Sequence, residues 1–254
     1  MRLDSSVGPA DWLRVGTTAE AGRRSRHART APSVHAGARY WVKAYPAPDG
    51  HRAWRAARMM AALDGAGFAA PEVILVGTSR GAGLLATRDV GGRGLLEATA
   101  EGGTPRREKW RRLRSLGIAL AALHRAGFVP GDLVPSNVHL RGDQFVFLDH
   151  DRTRRSRVLV WWHGRRNLVQ LGRFVVAGIG ITDRARVLRA YADGRGLPRR
   201  ARRRLARWVV AKTMERRCAI DRIPPDVARR AGFTALMRSG GPFDPARVPS
   251  GGDR

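Results

Sequence analysis

The chain has 254 residues, 43% of them hydrophobic, a length that suits one large domain or two lobes sharing a cleft and a composition that can fill a core. Lys and Arg number 48 against 21 Asp and Glu, a net charge of +27 that would attract nucleic acid, anionic membrane or a phosphorylated substrate, although arginines on solvated faces would give the same count. No run of about 18 apolar residues predicts a transmembrane helix, the N-terminus lacks the apolar core of a signal peptide, and the single Cys218 excludes an internal disulfide, so the cytoplasm is the expected location.

Residues 1–38, rich in Gly, Ala, Arg and Ser, show little periodicity and are expected to hold at most a short helix and strands. "RYWVKAY", Arg39 to Tyr45, alternates: Tyr40, Val42 and Ala44 share one face, and Trp41, Lys43 and Tyr45 share the other, which predicts a strand. "HRAWRAARMMAALDGAG" predicts a helix ending near Asp64 and Gly65. "PEVILVG" and "GLLATRDV" are short apolar runs edged by Gly or Pro and predict two more strands of one small sheet. "GGRGLLEATAEGGT" reads as a Gly-rich connector, giving domains at 1–90 and 91–238 and a loose tail over 239–254.

A long helix is predicted next, with Thr104 as N-cap, Pro105 at its first position and Arg125 and Gly127 at its end. The loop "FVPGDLVPSNVHL" follows, then short strands in "NVHL" and "QFVFLDHD" around the turn "RGD". Beyond Arg152 come the apolar "RVLVWW" and helices in "RRNLVQLGRFVVAG", "DRARVLRAYADG" and "PRRARRRLARWVVAKTMERR".

Within this order, four residues stand where phosphoryl transfer needs them. Asp132 is the candidate catalytic carboxylate that orients an attacking hydroxyl and accepts its proton. Asn137, five positions on, and Asp149, at the end of the apolar "FVFL", are the candidate Mg²⁺ ligands. Lys43, on the upstream strand, is the candidate nucleotide-binding residue for the α- and β-phosphates. A lone D-x-x-x-x-N is a weak signal; the ordered block of helix, Gly-Asp, Asn, hairpin, strand and Asp is a strong one.

That block, "LHRAGFVPGDLVPSNVHL" with "FVFLDHDRTR", resembles the lipopolysaccharide core kinases, the Kdo and heptose kinase family of the protein-kinase-like superfamily. Leu123, His124, Gly127, Gly131, Asp132, Leu133, Asn137, Asp149, Asp151 and Arg152 match its L-H-x-x-G, H-G-D-L-x-x-x-N and D-x-D-R patterns. "YWVKAY" is similar to its V-K-x-Y strand, and "RRNLVQLGRF" to its R-x-D-L-x-Q-L-x-R helix. The resemblance implies an α+β, two-lobed protein-kinase-like fold, with a small, mainly β N-lobe holding one helix and a larger, mainly α C-lobe. It implies ATP and Mg²⁺ as cofactors and a sugar hydroxyl of the lipopolysaccharide inner core as acceptor. It further implies an anionic glycolipid or sugar as partner, on the cytoplasmic face of the inner membrane; a monomer is expected. The basic surface would then meet an anionic membrane, and nucleic acid is the weaker reading of the charge.

The chain departs from the family pattern at four points. Pro130 replaces the His that braces the loop. No Glu appears on the helix after Lys43, where residues 53–57 are Ala and Arg, so a carboxylate such as Glu72 or Asp64 would have to arrive from elsewhere. Asn167 replaces an Asp that steadies the loop. No G-x-G-x-x-G is present, "RVGTTAEAG" being a poor substitute. Pro130, Asn167 and the missing helix Glu support the alternative of a pseudokinase that binds nucleotide or a partner without catalysis; a kinase for another hydroxyl, on a protein Ser/Thr or a small molecule, is a separate alternative. Asp151 reads either as a Mg²⁺ aid or, preferably, as a partner of nearby arginines. His124, His139 and His150 read as structural. "RRSRVLVWWHGRR" reads as a buried segment with solvated flanks or, second, as a membrane-interface segment.

Overall fold

The computed structural model describes residues 23–24, 27–100, 104–156, 158, 160–174, 176 and 178–237, so "RVGTTAEAG" and the tail from Ser239 lie outside the described residues. The chain forms two compact units, one running to Gly92 and including Val146–Arg154, the other made of Arg93–Phe145 and the chain from Arg155.

The first unit is an antiparallel sheet of β1 (Arg23–Arg24), β2 (Arg29–His35), β3 (Ala38–Tyr45), β4 (Val73–Ser79) and β5 (Ala82–Arg88), in the order β1-β2-β3-β5-β4. The alternation in β3 sorts its side chains as the sequence predicts. Tyr40 and Val42 are buried in one cluster with Ile74, Leu84 and Ala86, and Tyr45 is buried in another with α1 (His51–Asp64). Ala53, Ala56, Ala57, Met60 and Leu63 make the buried stripe of α1, at the three-and-four spacing of a helix face. Three alanines there let the helix lie close to the sheet. Burying Met60 and Leu63 contributes about 2 kcal/mol each.

The start of α1 is locked to the β4–β5 turn. The Gly50 N–H donates to the Gly81 carbonyl at 2.9 Å. A Cβ on Gly50 would lie 2.5 Å from the Ala82 carbonyl carbon, and one on Gly83 would lie 2.5 Å from the Gly50 oxygen. β3 pairs with β5 through Lys43 opposite Leu85, which fixes where the Lys43 ammonium emerges. A 3₁₀ turn at His150–Arg152 packs against α1 within this unit.

The second unit is mainly helical. It contains β6 (Arg93–Gly94), α2 (Leu95–Ala100), α3 (Arg106–Arg125), β7 (Phe128–Val129) and β8 (Val138–Arg141); β9 (Gln144–Phe147) leads the chain back to the first unit. After β10 (Arg154–Arg155) come α4 (Val160–Gly172), α5 (Ile181–Gly194), α6 (Arg199–Asp221) and α7 (Pro225–Leu236). The expected Gly-rich connector holds β6, which pairs with β8, and α2, which buries Leu95 and Ala98. Pro105 caps α3 instead of opening it, one residue from the expected start. α4 starts five residues before "RRNLVQLG", at Val160, and stops at Gly172. α7, which breaks at the left-handed Gly232, has no counterpart in the sequence reading.

α3 buries Leu113, Leu116, Leu120 and Leu123. It crosses α5 at glycines: a Cβ on Gly117 would lie 2.4 Å from the Val187 carbonyl oxygen, and one on Gly194 would lie 2.7 Å from the Ala121 Cβ. Among the described residues, no helix is long and apolar enough to cross a membrane.

Candidate active site

In the first unit the Lys43 ammonium lies between two carboxylates. Its Nζ is 2.8 Å from an Asp149 oxygen and 2.7 Å from an Asp151 oxygen. Asp151 also accepts a 2.6 Å hydrogen bond from the Tyr45 hydroxyl, two residues along β3 on the face of Lys43. The strand period and the D-x-D spacing thus join two short segments 106 residues apart in sequence. Burial pulls the Lys43 pKa down, but the charges and hydrogen bonds of Asp149 and then Asp151 outweigh it and hold the ammonium above its ordinary value. Burial pushes the Asp149 carboxyl up, and Lys43 reverses this, leaving it below the usual carboxylate range. Burial, reinforced by the Asp151 charge, pushes the Tyr45 phenol far up, so it stays a neutral donor.

Asp149 has φ 60° and ψ 73°, in the left-handed region. Asp tolerates that region better than most residues, because its short side chain can hydrogen-bond locally. His150 anchors the turn that follows. Its Nε2–H donates to the Phe147 carbonyl at 2.7 Å, and its Nδ1 accepts from the Thr153 hydroxyl at 3.2 Å. Burial lowers its pKa to about 4, so it is neutral at pH 7.

The carboxylate that meets Lys43, which the sequence lacks on α1, is supplied by the D-x-D segment. The two sources anticipated in sequence do not supply it: Glu72 pairs with Arg88, and Asp64 is exposed at the end of α1. The preference for an arginine partner to Asp151 is likewise corrected, since its partners are Lys43 and Tyr45.

In the second unit Asp132 and Asn137 sit on the loop after β7, both half-buried. A 3₁₀ turn at Pro135–Asn137 brings the Asn137 amide back onto the Asp132 carbonyl at 3.0 Å. Beneath the loop lies a chain of hydrogen bonds from three helices. The Tyr191 hydroxyl of α5 donates to His124 Nδ1 of α3 at 2.9 Å, and His124 Nε2–H donates to Asn167 Oδ1 of α4 at 3.1 Å. The Asn167 amide donates to the Pro130 carbonyl at 2.8 Å and to Gln170 Oε1 at 2.7 Å. Gln170 in turn donates to the Gly131 carbonyl and accepts from the Leu133 N–H. Burial lowers the His124 pKa to about 4, fixing the neutral imidazole that this chain requires. Gly164 leaves room for it, because a Cβ there would lie 2.9 Å from His124 Nδ1.

This network explains two of the departures together. Pro130 has no N–H to offer a carboxylate, only a carbonyl. Asn167, unlike the Asp it replaces, carries N–H groups that can donate to that carbonyl. Sequence reasoning treated each as a separate loss. The signal that links them is the pairing of a donor-free loop residue with a newly acquired amide donor.

The oxygen-only candidates Asp149 and Asn137 have the hard-ligand chemistry that Mg²⁺ takes. Among the described residues there is no group of three His, Cys, Asp or Glu arranged to hold a metal. Lys43 has the charge and the strand position of a phosphate-binding lysine.

No curated protein matches the chain significantly. Among solved structures, it is similar to an aminoglycoside-3'-phosphotransferase of type VIII, with 18% identity, a TM-score of 0.53 and coverage of 77% of this chain and 92% of that one. It is also similar to the macrolide 2'-phosphotransferase MphH from Brachybacterium faecium, with 16% identity, a TM-score of 0.51 and coverage of 85% and 91%. At such identities the likeness speaks for the fold, which is protein-kinase-like, with a small N-terminal sheet and a larger helical region. The family model of the lipopolysaccharide kinases (Kdo/WaaP) matches residues 42–191, more than half the chain and the stretch from β3 through α5. The chain therefore belongs to the lipopolysaccharide kinase (Kdo/WaaP) family and is a kinase-like phosphotransferase.

Proposed function

We propose that the protein transfers the γ-phosphoryl group of ATP, bound with Mg²⁺, to a sugar hydroxyl of the lipopolysaccharide inner core. One observation carries the reading: both carboxylates of the D-x-D segment converge on Lys43, within 2.8 Å. Asp151 then takes the part of the absent helix glutamate and positions Lys43 for the phosphates. Asp149 is left to hold Mg²⁺, and Asn137 supplies a second metal ligand. Asp132 accepts the proton of the attacking hydroxyl as the new P–O bond forms and the bond to ADP breaks. The acceptor is an anionic glycolipid at the cytoplasmic face of the inner membrane, the location that goes with this reading.

The test is transfer of labelled phosphate from ATP to purified core glycolipid. Mg²⁺-dependent labelling, reduced at least about 100-fold in Asp132→Ala, is the expected result. Absence of transfer to core glycolipid and to small sugars alike would overturn it. A second reading, nucleotide binding without transfer, draws on the same contact, because Lys43 already occupies an Asp149 oxygen that a metal would need. Under that reading, ATP stabilises the protein to the same extent with and without Mg²⁺, and no product forms.

A further inference from the structure

Trp161 and Trp162 are 44% and 57% exposed at the first turn of α4, and Val158 just before them is 85% exposed. Neighbouring bulky indoles left in water need an explanation when Leu168 and Val169 of the same helix are buried. The sequence reading preferred burial of this segment; the start of α4 at Val160 turns its indoles outward instead. α4 packs against α6, and Arg165 joins them, its guanidinium carbon lying 4.1 Å from the Trp162 ring centroid and 4.3 Å from that of Trp208.

The two segments that carry these rings hold charge of one sign. Residues 155–182 contain five Arg and no Asp or Glu, and residues 194–214 contain eight Lys and Arg and no Asp or Glu. Arg166 follows Trp162 by one helical turn, and Arg200, Arg204 and Trp208 recur at four-residue spacing along α6. Arg166, Arg200 and Arg204 are exposed.

We propose that this face of α4 and α6 docks on an anionic lipid bilayer, with Trp161, Trp162 and Val158 entering the interface and the arginines meeting lipid phosphates. Indoles favour the headgroup boundary, and arginine stems can lie along apolar surface while their heads stay among phosphates. Each basic residue near an anionic leaflet adds to the attraction. The observations favour lipid over single-stranded nucleic acid. Base stacking needs open ring faces, and Arg165 already covers a face of both Trp162 and Trp208. Val158 is aliphatic and offers a base nothing to stack on. The proposal goes beyond the phosphotransferase reading and stands whatever the acceptor.

The test is co-sedimentation of the full-length protein with phosphatidylcholine vesicles, with and without phosphatidylglycerol. Binding is expected only with phosphatidylglycerol. Trp161→Ser/Trp162→Ser is expected to weaken it at least about tenfold while the thermal midpoint stays unchanged; if the double variant misfolds, Trp161→Ser alone is read. Arg200→Glu/Arg204→Glu is expected to weaken it as well. Three results would overturn the proposal: no binding of wild type to the anionic vesicles; indole variants that bind like wild type, which would mean diffuse charge; and retention of single-stranded RNA, but not vesicles, that depends on the two indoles. Asp132→Ala is expected to bind vesicles like wild type, so failure of the phosphotransfer assay leaves this outcome untouched.

Discussion

At the scale of single residues, Lys43 governs the first unit. Removing its charge leaves two carboxylates facing each other in a partly buried place. Lys43→Met is expected to abolish phosphotransfer and to cost about 2 kcal/mol of stability, less than a fully buried pair would, because Asp149 keeps water contact. Urea unfolding at pH 7 and an ATP assay check both effects. The buried imidazoles give a pH signature. Their folded pKa values are near 4, below the unfolded value of about 6.5. The stability gained by keeping them neutral is fully present above pH 6.5 and is lost as pH falls toward 4. His124→Gln is expected to remove about half of the fall in unfolding free energy between about pH 6.5 and 5, since one of two such groups remains. Lys43 itself was legible in the sequence through the alternation of β3. Its partners were not, because carboxylates of a D-x-D segment that begins 106 residues away leave no local pattern.

At the scale of elements, the loop carrying Asp132 is held by helices that agree on donors and acceptors. Asn167→Asp sets a carboxylate against the Pro130 carbonyl, 2.8 Å away. It is expected to lower stability by about 2 kcal/mol through the buried acceptor left without a donor, and to be partly rescued at low pH, where the acid can donate. Differential scanning fluorimetry across pH reads this directly. The loop motif, the hairpin after it and α3 were all legible, because spacing and periodicity are local. The bracing role of Asn167 was only half legible: its position was, but the direction of its hydrogen bond depends on Pro130, which a helix pattern does not report. The segment at Trp161 was misread because apolar content signals burial only when the helix phase is known, and that phase is set by where α4 begins.

At the scale of the whole molecule, +27 is a self-repulsive charge. Screening should relieve it, so the thermal midpoint is expected to rise between about 0.05 and 0.5 M NaCl as the Debye length shrinks. A flat or falling midpoint would show that the arginines are already neutralised by local pairing. The kinase-like fold was legible through the family resemblance of the loop and strand motifs, and the order strand, helix, strand, strand and then a helical region is consistent with it. α2 and α7 were not, because a six-residue helix among glycines and a helix interrupted at Gly232 give too little periodicity to stand out.

The double grip on Lys43 sets the local charge balance in the first unit. A site built from acidic groups alone would depend on a divalent ion to neutralise it. Here the chain supplies its own monovalent counter-ion, held by Asp149 and Asp151. Under the proposed function, a metal arriving at Asp149 would compete with this internal cation, and its uptake would be an exchange. Phosphates that draw the ammonium away from Asp149 would release that carboxylate to the metal they bring with them, coupling the arrival of the two ligands.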